Sequence, residues 1–168
     1  MANKAVFFDR DGTLNVDVHY LYKPEEFQWM PGAAEAIEYC HQQGYMVVVI
    51  TNQSGVARGY YTEADVQKLH NWMNDDLARQ GYRPIDAFYY CPHHPQGTVA
   101  EYARECTCRK PQPGMLLRAC EELDIDTDSS YMVGDSPRDA EAGEKAGIRG
   151  VLYKGGSLLE CVREMLES

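Results

Sequence analysis

Five short apolar runs alternate with amphipathic segments along the chain, and this alternation constrains the fold more than any other feature. The runs cover residues 5–9, 45–50, 87–90, 130–133 and 150–153. They are too short for packed helices and read as strands. Helical patterns at 33–40, 62–80, 114–123, 138–146 and 157–166 separate or follow them. Strands joined through helices form a parallel sheet covered on both faces. The expectation is an α/β protein with a three-layer, Rossmann-like, doubly wound sheet. With 168 residues and neither an internal repeat nor a linker, the chain reads as one domain, 1–168.

The polar residues gather where the strands stop. The first strand delivers Asp9 and Asp11, the second Thr51-Asn52-Gln53-Ser54. The third leads through a cysteine-rich loop to Arg109-Lys110-Pro111, and the fourth ends in Gly134-Asp135-Ser136-Pro137-Arg138-Asp139. Each cluster alone also reads as a cap, a turn or a solvated lysine. In a doubly wound sheet, however, the carboxyl ends of the strands share one edge, so the clusters converge. Residues i and i+2 of an extended stretch point to one side, so Asp9 and Asp11 can face one site. Two anions that close need a cation or a shared proton, which suggests a divalent metal or a nucleophile beside a general acid. The implied chemistry is phosphoryl transfer through an aspartyl-phosphate. Asp9 would attack phosphorus, and Asp11 would move the protons. Mg²⁺, which prefers oxygen ligands, would sit on Asp9, Asp135 and a backbone carbonyl. Thr51 and Lys110 would hold the equatorial oxygens.

A net charge of −10 argues against nucleic acid or an anionic membrane as a partner. A phosphorylated substrate would be repelled unless the site carries its own cations. No apolar stretch approaches the ~20 residues that span a bilayer. Met1-Ala-Asn-Lys4 leads into the first strand with no signal-peptide core, so a cytoplasmic protein is expected. Nothing in the sequence suggests an obligate interface, and a monomer is expected. Of six cysteines, Cys40, Cys120 and Cys161 lie on helical patterns and read as small core residues. Cys91-Pro-His93 and Cys106-Thr-Cys108, twelve residues apart, form a Cys₃His set suited to structural Zn²⁺. His94 is the alternative imidazole, with His93 preferred. A zinc loop at 91–108 would pin Arg109 and Lys110.

Asp-x-Asp-Gly-Thr, a strand-end Thr-Asn, Lys-Pro and Gly-Asp-x-x-x-Asp, in this order, resemble the haloacid dehalogenase-type phosphatases over essentially the whole chain. The resemblance implies that Asp9 is the nucleophile and Asp11 the acid/base. It implies Mg²⁺ on Asp9, the Asp11 carbonyl and Asp135, supported by Asp139. Residues 12–30 would be the flap, and no insertion is large enough for a cap domain. Within the family, Cys-x-Cys-Arg-Lys-Pro and Thr51-Asn-Gln-Ser-Gly-Val-Ala-Arg-Gly59 resemble the heptose-bisphosphate branch. The histidinol-phosphate phosphatases share the zinc loop and are the alternative, but Ser54 and Arg58 favour the sugar branch. That resemblance implies a small phosphorylated sugar as substrate, contacted by Asn52, Gln53, Ser54 and Arg109, with Asp17 and Tyr20 from the flap. Some relatives carry lysine after the metal aspartate, where this chain has Ser136. A non-catalytic, zinc-stabilised interaction module is the alternative of another class.

Overall fold

The four residues of β1 (Ala5–Phe8) are all fully buried. In the computed structural model, which describes residues 2–168, this strand lies at the centre of a five-stranded sheet; Met1 lies outside the described residues. The other strands are β2 (Met46–Asn52), β3 (Ala87–Cys91), β4 (Tyr131–Gly134) and β5 (Arg149–Leu152). Their order is β3-β2-β1-β4-β5 and every pairing is parallel, the doubly wound arrangement expected from the alternation. A strand buried on both faces must be apolar at every position, which is why these runs are continuous rather than alternating.

Successive β1 side chains feed opposite layers. Val6 and Phe8 join a core with Ile37 of α1 (Ala33–Gln42), Met73 and Leu77 of α2 (Glu63–Arg79), and Val162 of α5 (Leu158–Glu167). Ala5 and Phe7 join a second core with Leu116 and Ala119 of α3 (Gly114–Leu123) and Ala142 of α4 (Pro137–Lys145). Thr62 caps α2 as its spacing predicts: its side chain accepts from the Asp65 N–H, and Asp65 answers through the Thr62 N–H. Among the described residues no helix is long and apolar enough to cross a membrane.

Several strand boundaries differ by one or two residues from the sequence expectation. β1 ends at Phe8 rather than Asp9, because the chain turns at once: the N–H groups of Thr13, Leu14 and Asn15 all converge on the Arg10 carbonyl. β2 runs two residues past its apolar stretch, with Thr51 and Asn52 paired to Tyr90 and Cys91. β5 begins at Arg149 and stops before Tyr153, its register set by Tyr131↔Arg149. Backbone pairing, not side-chain hydropathy, decided each end. Residues 12–30, the expected flap, hold a short 3₁₀ turn, Pro24–Glu26, and an antiparallel bridge between Asn15 and Trp29.

Candidate active site

A cleft of about 260 Å³ opens over the carboxyl ends of the strands. It is lined by Asp9, Asp11, Thr51, Asn52, Gln53, Ser54, Arg109, Lys110 and Asp135, with Asp17 and Tyr20 from the flap. All were singled out from the sequence. Asp139 lies just beneath, 1% exposed, with a carboxylate oxygen near those of Asp9 and Asp135. The same cleft adds His19 and Tyr61, which sequence reasoning did not single out, and Ser136 and Arg138 of the fourth strand-end cluster, to which it gave no definite role.

At the floor, Lys110 Nζ stands 2.7 Å from Asp9 Oδ1 and 2.7 Å from Asp139 Oδ1, and donates to the Ile50 carbonyl at 2.9 Å. Burial pushes the Asp9 carboxyl up to about 7; Lys110 pulls it back, and Asp139 and Asp11 push it further up. Burial would lower Lys110, but the two carboxylates outweigh it and the net displacement is upward. One ammonium for three close carboxylates leaves negative charge uncompensated. An oxygen donor set of Asp9, Asp135 and Asp139, whose ligand atoms lie within 4.8 Å of one another, fits a hard divalent cation. The turn after β1 depends on Gly12, whose φ is +89° and whose Cβ, if it had one, would collide with the Asp135 carboxylate.

Asn52 and Gln53 are placed differently from the other expected substrate contacts. Asn52 Oδ1 accepts the Lys110 N–H at 2.9 Å and its amide donates to the Lys110 carbonyl, so it clamps the lysine's backbone. Gln53 is 2% exposed; its amide donates to Asp11 Oδ2 at 3.1 Å and Thr51 Oγ1 at 2.8 Å, while its Oε1 accepts from Tyr61. Both side chains hold other site residues. Ser136 stands at the N-cap of α4, where its N–H donates to Asp139 Oδ2 at 3.1 Å.

Cations gather beside the cleft without anions: Arg109 and Arg138 line it, and Arg58 neighbours Arg109. Among the described residues, Arg58, Arg109 and Arg138 make no ion pair with a carboxylate, and Arg58 Nε and Arg109 Nη1 are buried without a hydrogen-bond acceptor. Burial and the neighbouring charges of Arg138 and Arg58 lower Arg109 from its ordinary value. Arg138 sits in Gly-Asp-x-x-Arg-Asp, and a basic residue inside that motif is the signal that could have found it.

The cysteine loop also comes together. Cys91, His93, Cys106 and Cys108 form one cluster, while His94 instead meets Arg58. Sulfur–sulfur contacts are 2.8–3.4 Å, and His93 Nδ1 lies 3.6 and 3.7 Å from Cys108 and Cys91 Sγ. A tetrahedron with bonds of ~2.3 Å has edges near ~3.7 Å, so this soft donor set fits a four-coordinate metal. The hydrogen bond with Cys91 lowers Cys108 to about 5, while that bond and burial push Cys91 up. All six cysteines are free.

Residues 107–164 match the HAD-hydrolase-like family. The chain is 49% identical over 154 residues to the D-glycero-beta-D-manno-heptose-1,7-bisphosphate 7-phosphatase of Pasteurella multocida, covering 91% of this chain and 83% of that protein. It is 46% identical over 162 residues to the protein of the same name from Rhodopseudomonas palustris, covering 96% and 89%. Among solved structures, the D,D-heptose 1,7-bisphosphate phosphatase of B. bronchiseptica, complexed with magnesium and phosphate, superposes with a TM-score of 0.82. That protein shares 33% identity, with 98% of each chain covered.

Proposed function

The chain belongs to the haloacid dehalogenase-like hydrolases, and from that premise we propose that it removes the 7-phosphate of D-glycero-D-manno-heptose 1,7-bisphosphate, the substrate class of its matched relatives. The observation that carries the bisphosphate reading is the unpaired guanidinium wall beside the aspartate centre. Half-buried Arg109 and Arg58, beside the exposed Arg138 and with no anion among them, favour binding one. A substrate with a single phosphate would occupy the floor and leave that wall unsatisfied. Arg109, Arg58 and Arg138 thus take the distal phosphate, bidentately where a guanidinium fork meets it. Arg138 would supply a cation on that side, where Ser136 supplies none.

The reaction proceeds through the chain's own groups. Asp9 Oδ attacks phosphorus, forming the aspartyl-phosphate as the bond to the sugar oxygen breaks. Asp11 gives that leaving oxygen its proton, then takes one from the water that hydrolyses the acyl-phosphate, releasing inorganic phosphate and restoring Asp9. Lys110 and the Thr51 hydroxyl stabilise the charge that spreads over the equatorial oxygens. Asp9, Asp135 and the Asp11 carbonyl would hold Mg²⁺, with Asp139 in support. The bound ion would keep Asp9 ionised and offset the charge of the phosphoryl oxygens. Magnesium in the B. bronchiseptica complex supports this reading.

Cys91, His93, Cys106 and Cys108 would hold Zn²⁺ in a structural role, closed to substrate. One sheet organises the described residues, which supports a single domain. The exposed large hydrophobics Val18, Tyr60, Leu117 and Leu152 lie on four separate segments, in keeping with a monomer.

Phosphate release from the heptose 1,7-bisphosphate, compared with histidinol phosphate at equal concentration, tests the assignment. Efficiency is expected to be higher on the bisphosphate and lost in Asp9→Asn. A preference for histidinol phosphate would overturn the substrate, and inertness toward every phosphate ester would overturn the reaction.

A further inference from the structure

Arg10 is among the largest fully buried side chains of the protein, standing between Asp9 and Asp11 at 0% exposure. None of the steps above uses it. A charge taken out of water is costly unless it is paired and hydrogen-bonded, so its partners indicate what it does. Nε lies 3.1 Å from Asp11 Oδ1, and Nη2 lies 3.0 Å from both Asp11 oxygens. Nη2 also donates to the Leu21 carbonyl of the flap at 3.1 Å. Nη1 faces His70 Nε2 at 3.2 Å.

A guanidinium only donates, so His70 must offer a lone pair at Nε2 and carry its proton on Nδ1. Burial, and then the Arg10 charge, hold this imidazole well below its ordinary value, so the ring is neutral as that bond requires. His70 stacks on Phe88 of β3 with centroids 4.3 Å apart, which fixes the ring between α2 and the sheet. Asn15 adds a donor to Asp11 Oδ1 at 3.0 Å, and Gln53 one to Oδ2. The remaining face of the carboxylate looks into the cleft. Single amide donors leave a carboxylate free to turn about its Cβ–Cγ bond, whereas a planar fork touching both oxygens sets its plane.

We propose that Arg10 is a positioning residue for Asp11, setting the carboxylate's orientation for both proton transfers, and that His70 in turn holds Arg10. The inference rests on Asp11 being the acid/base of the proposed reaction. Misplacing a reacting group by about 1 Å can cost ~10²-fold, so the effect should be large.

The test compares heptose bisphosphate with 2,4-dinitrophenyl phosphate, whose leaving group needs no proton. In Arg10→Lys, kcat on the sugar should fall about 10²-fold with KM within about twofold, the size expected for an impaired general acid. Single-turnover release of dinitrophenolate should keep the wild-type rate, followed by slow hydrolysis of the phosphoenzyme. His70→Leu should give a weaker copy of this pattern, and His70→Gln, which can still accept from Nη1, should restore the sugar reaction. If Arg10→Lys does not fold, the two His70 variants decide. Equal losses on both substrates would mean a general structural role and would overturn the proposal, as would unaltered sugar turnover. Should the wild type hydrolyse no ester, the functional reading fails by itself. Crystal structures of the variants then decide: a turned Asp11 carboxylate supports positioning, and an unmoved one refutes it.

Discussion

His70 should make the protein acid-labile by an amount that can be worked from its surroundings. In the folded chain, burial and the Arg10 charge keep the imidazole neutral, well below the ordinary 6.5. In the unfolded chain the ring takes up a proton as pH falls through that value. A group whose folded pKa is depressed stabilises above its unfolded pKa and loses that stability as pH falls. At pH 5.5, one unit below 6.5, the unfolded state gains up to about 1.4 kcal/mol from His70 alone. Asp9 works in the opposite direction in metal-free protein: burial raises it to about 7, so acid favours the folded state there. The assay is therefore urea unfolding with saturating Mg²⁺, which keeps Asp9 ionised. Wild type and His70→Gln are compared at pH 7.5, 6.5 and 5.5. Their difference should be constant near pH 7.5 and shift by about 1.4 kcal/mol in favour of His70→Gln at pH 5.5, because glutamine does not titrate. Parallel pH profiles, or a native-state imidazole titrating near its ordinary value by NMR, would refute the reasoning.

Removing Lys110 should destabilise strongly, since Asp9 and Asp139 lose the cation they share in a buried setting. Lys110→Met is expected to cost about 3–5 kcal/mol by urea unfolding in metal-free protein, with part recovered on adding Mg²⁺. A cost below about 1 kcal/mol would contradict the ion-pair geometry. Gly12→Ala forces a β-carbon onto the Asp135 carboxylate at a positive φ. Its Mg²⁺ dissociation constant, from calorimetric titration, should rise at least about tenfold, the equivalent of ~1.4 kcal/mol; unchanged affinity would exclude Asp135 from the metal site. Cys108→Ser should lower bound zinc, measured by atomic absorption, and raise KM for the bisphosphate through a loosened Arg109-Lys110 segment. A zinc-free variant with unaltered KM would argue that the loop does not position those cations.

Much of this molecule is local and therefore legible along the chain. A strand covered on both faces must be apolar throughout, so Ala5–Phe8 and the stretch before Thr51 announce themselves. A parallel sheet brings strand ends to one edge, so Asp9, Thr51, Lys110 and Asp135 could be grouped before any coordinate was known. The Cys₃His set was equally readable, because ligand chemistry restricts residue type more than position. His93, preferred over His94 from the sequence, is the imidazole that the folded loop brings to the cluster, while His94 meets Arg58.

Other properties depend on contacts between residues distant in sequence. The two amides that looked like substrate contacts, Asn52 and Gln53, are taken up by Lys110 and by Asp11, Thr51 and Tyr61. The Arg10–His70 bond spans sixty residues. Arg58, Arg109 and Arg138 become neighbours only when two loops and the start of α4 meet at the same edge. By itself, the sequence determined the strand–helix order and the chemical character of each strand end, because hydropathy and side-chain chemistry are properties of single residues. Only the tertiary structure decided where β2 and β5 stop, which polar groups face the cleft and which hold their neighbours in place. Those outcomes follow from burial and hydrogen-bond pairing, and neither exists until distant segments meet.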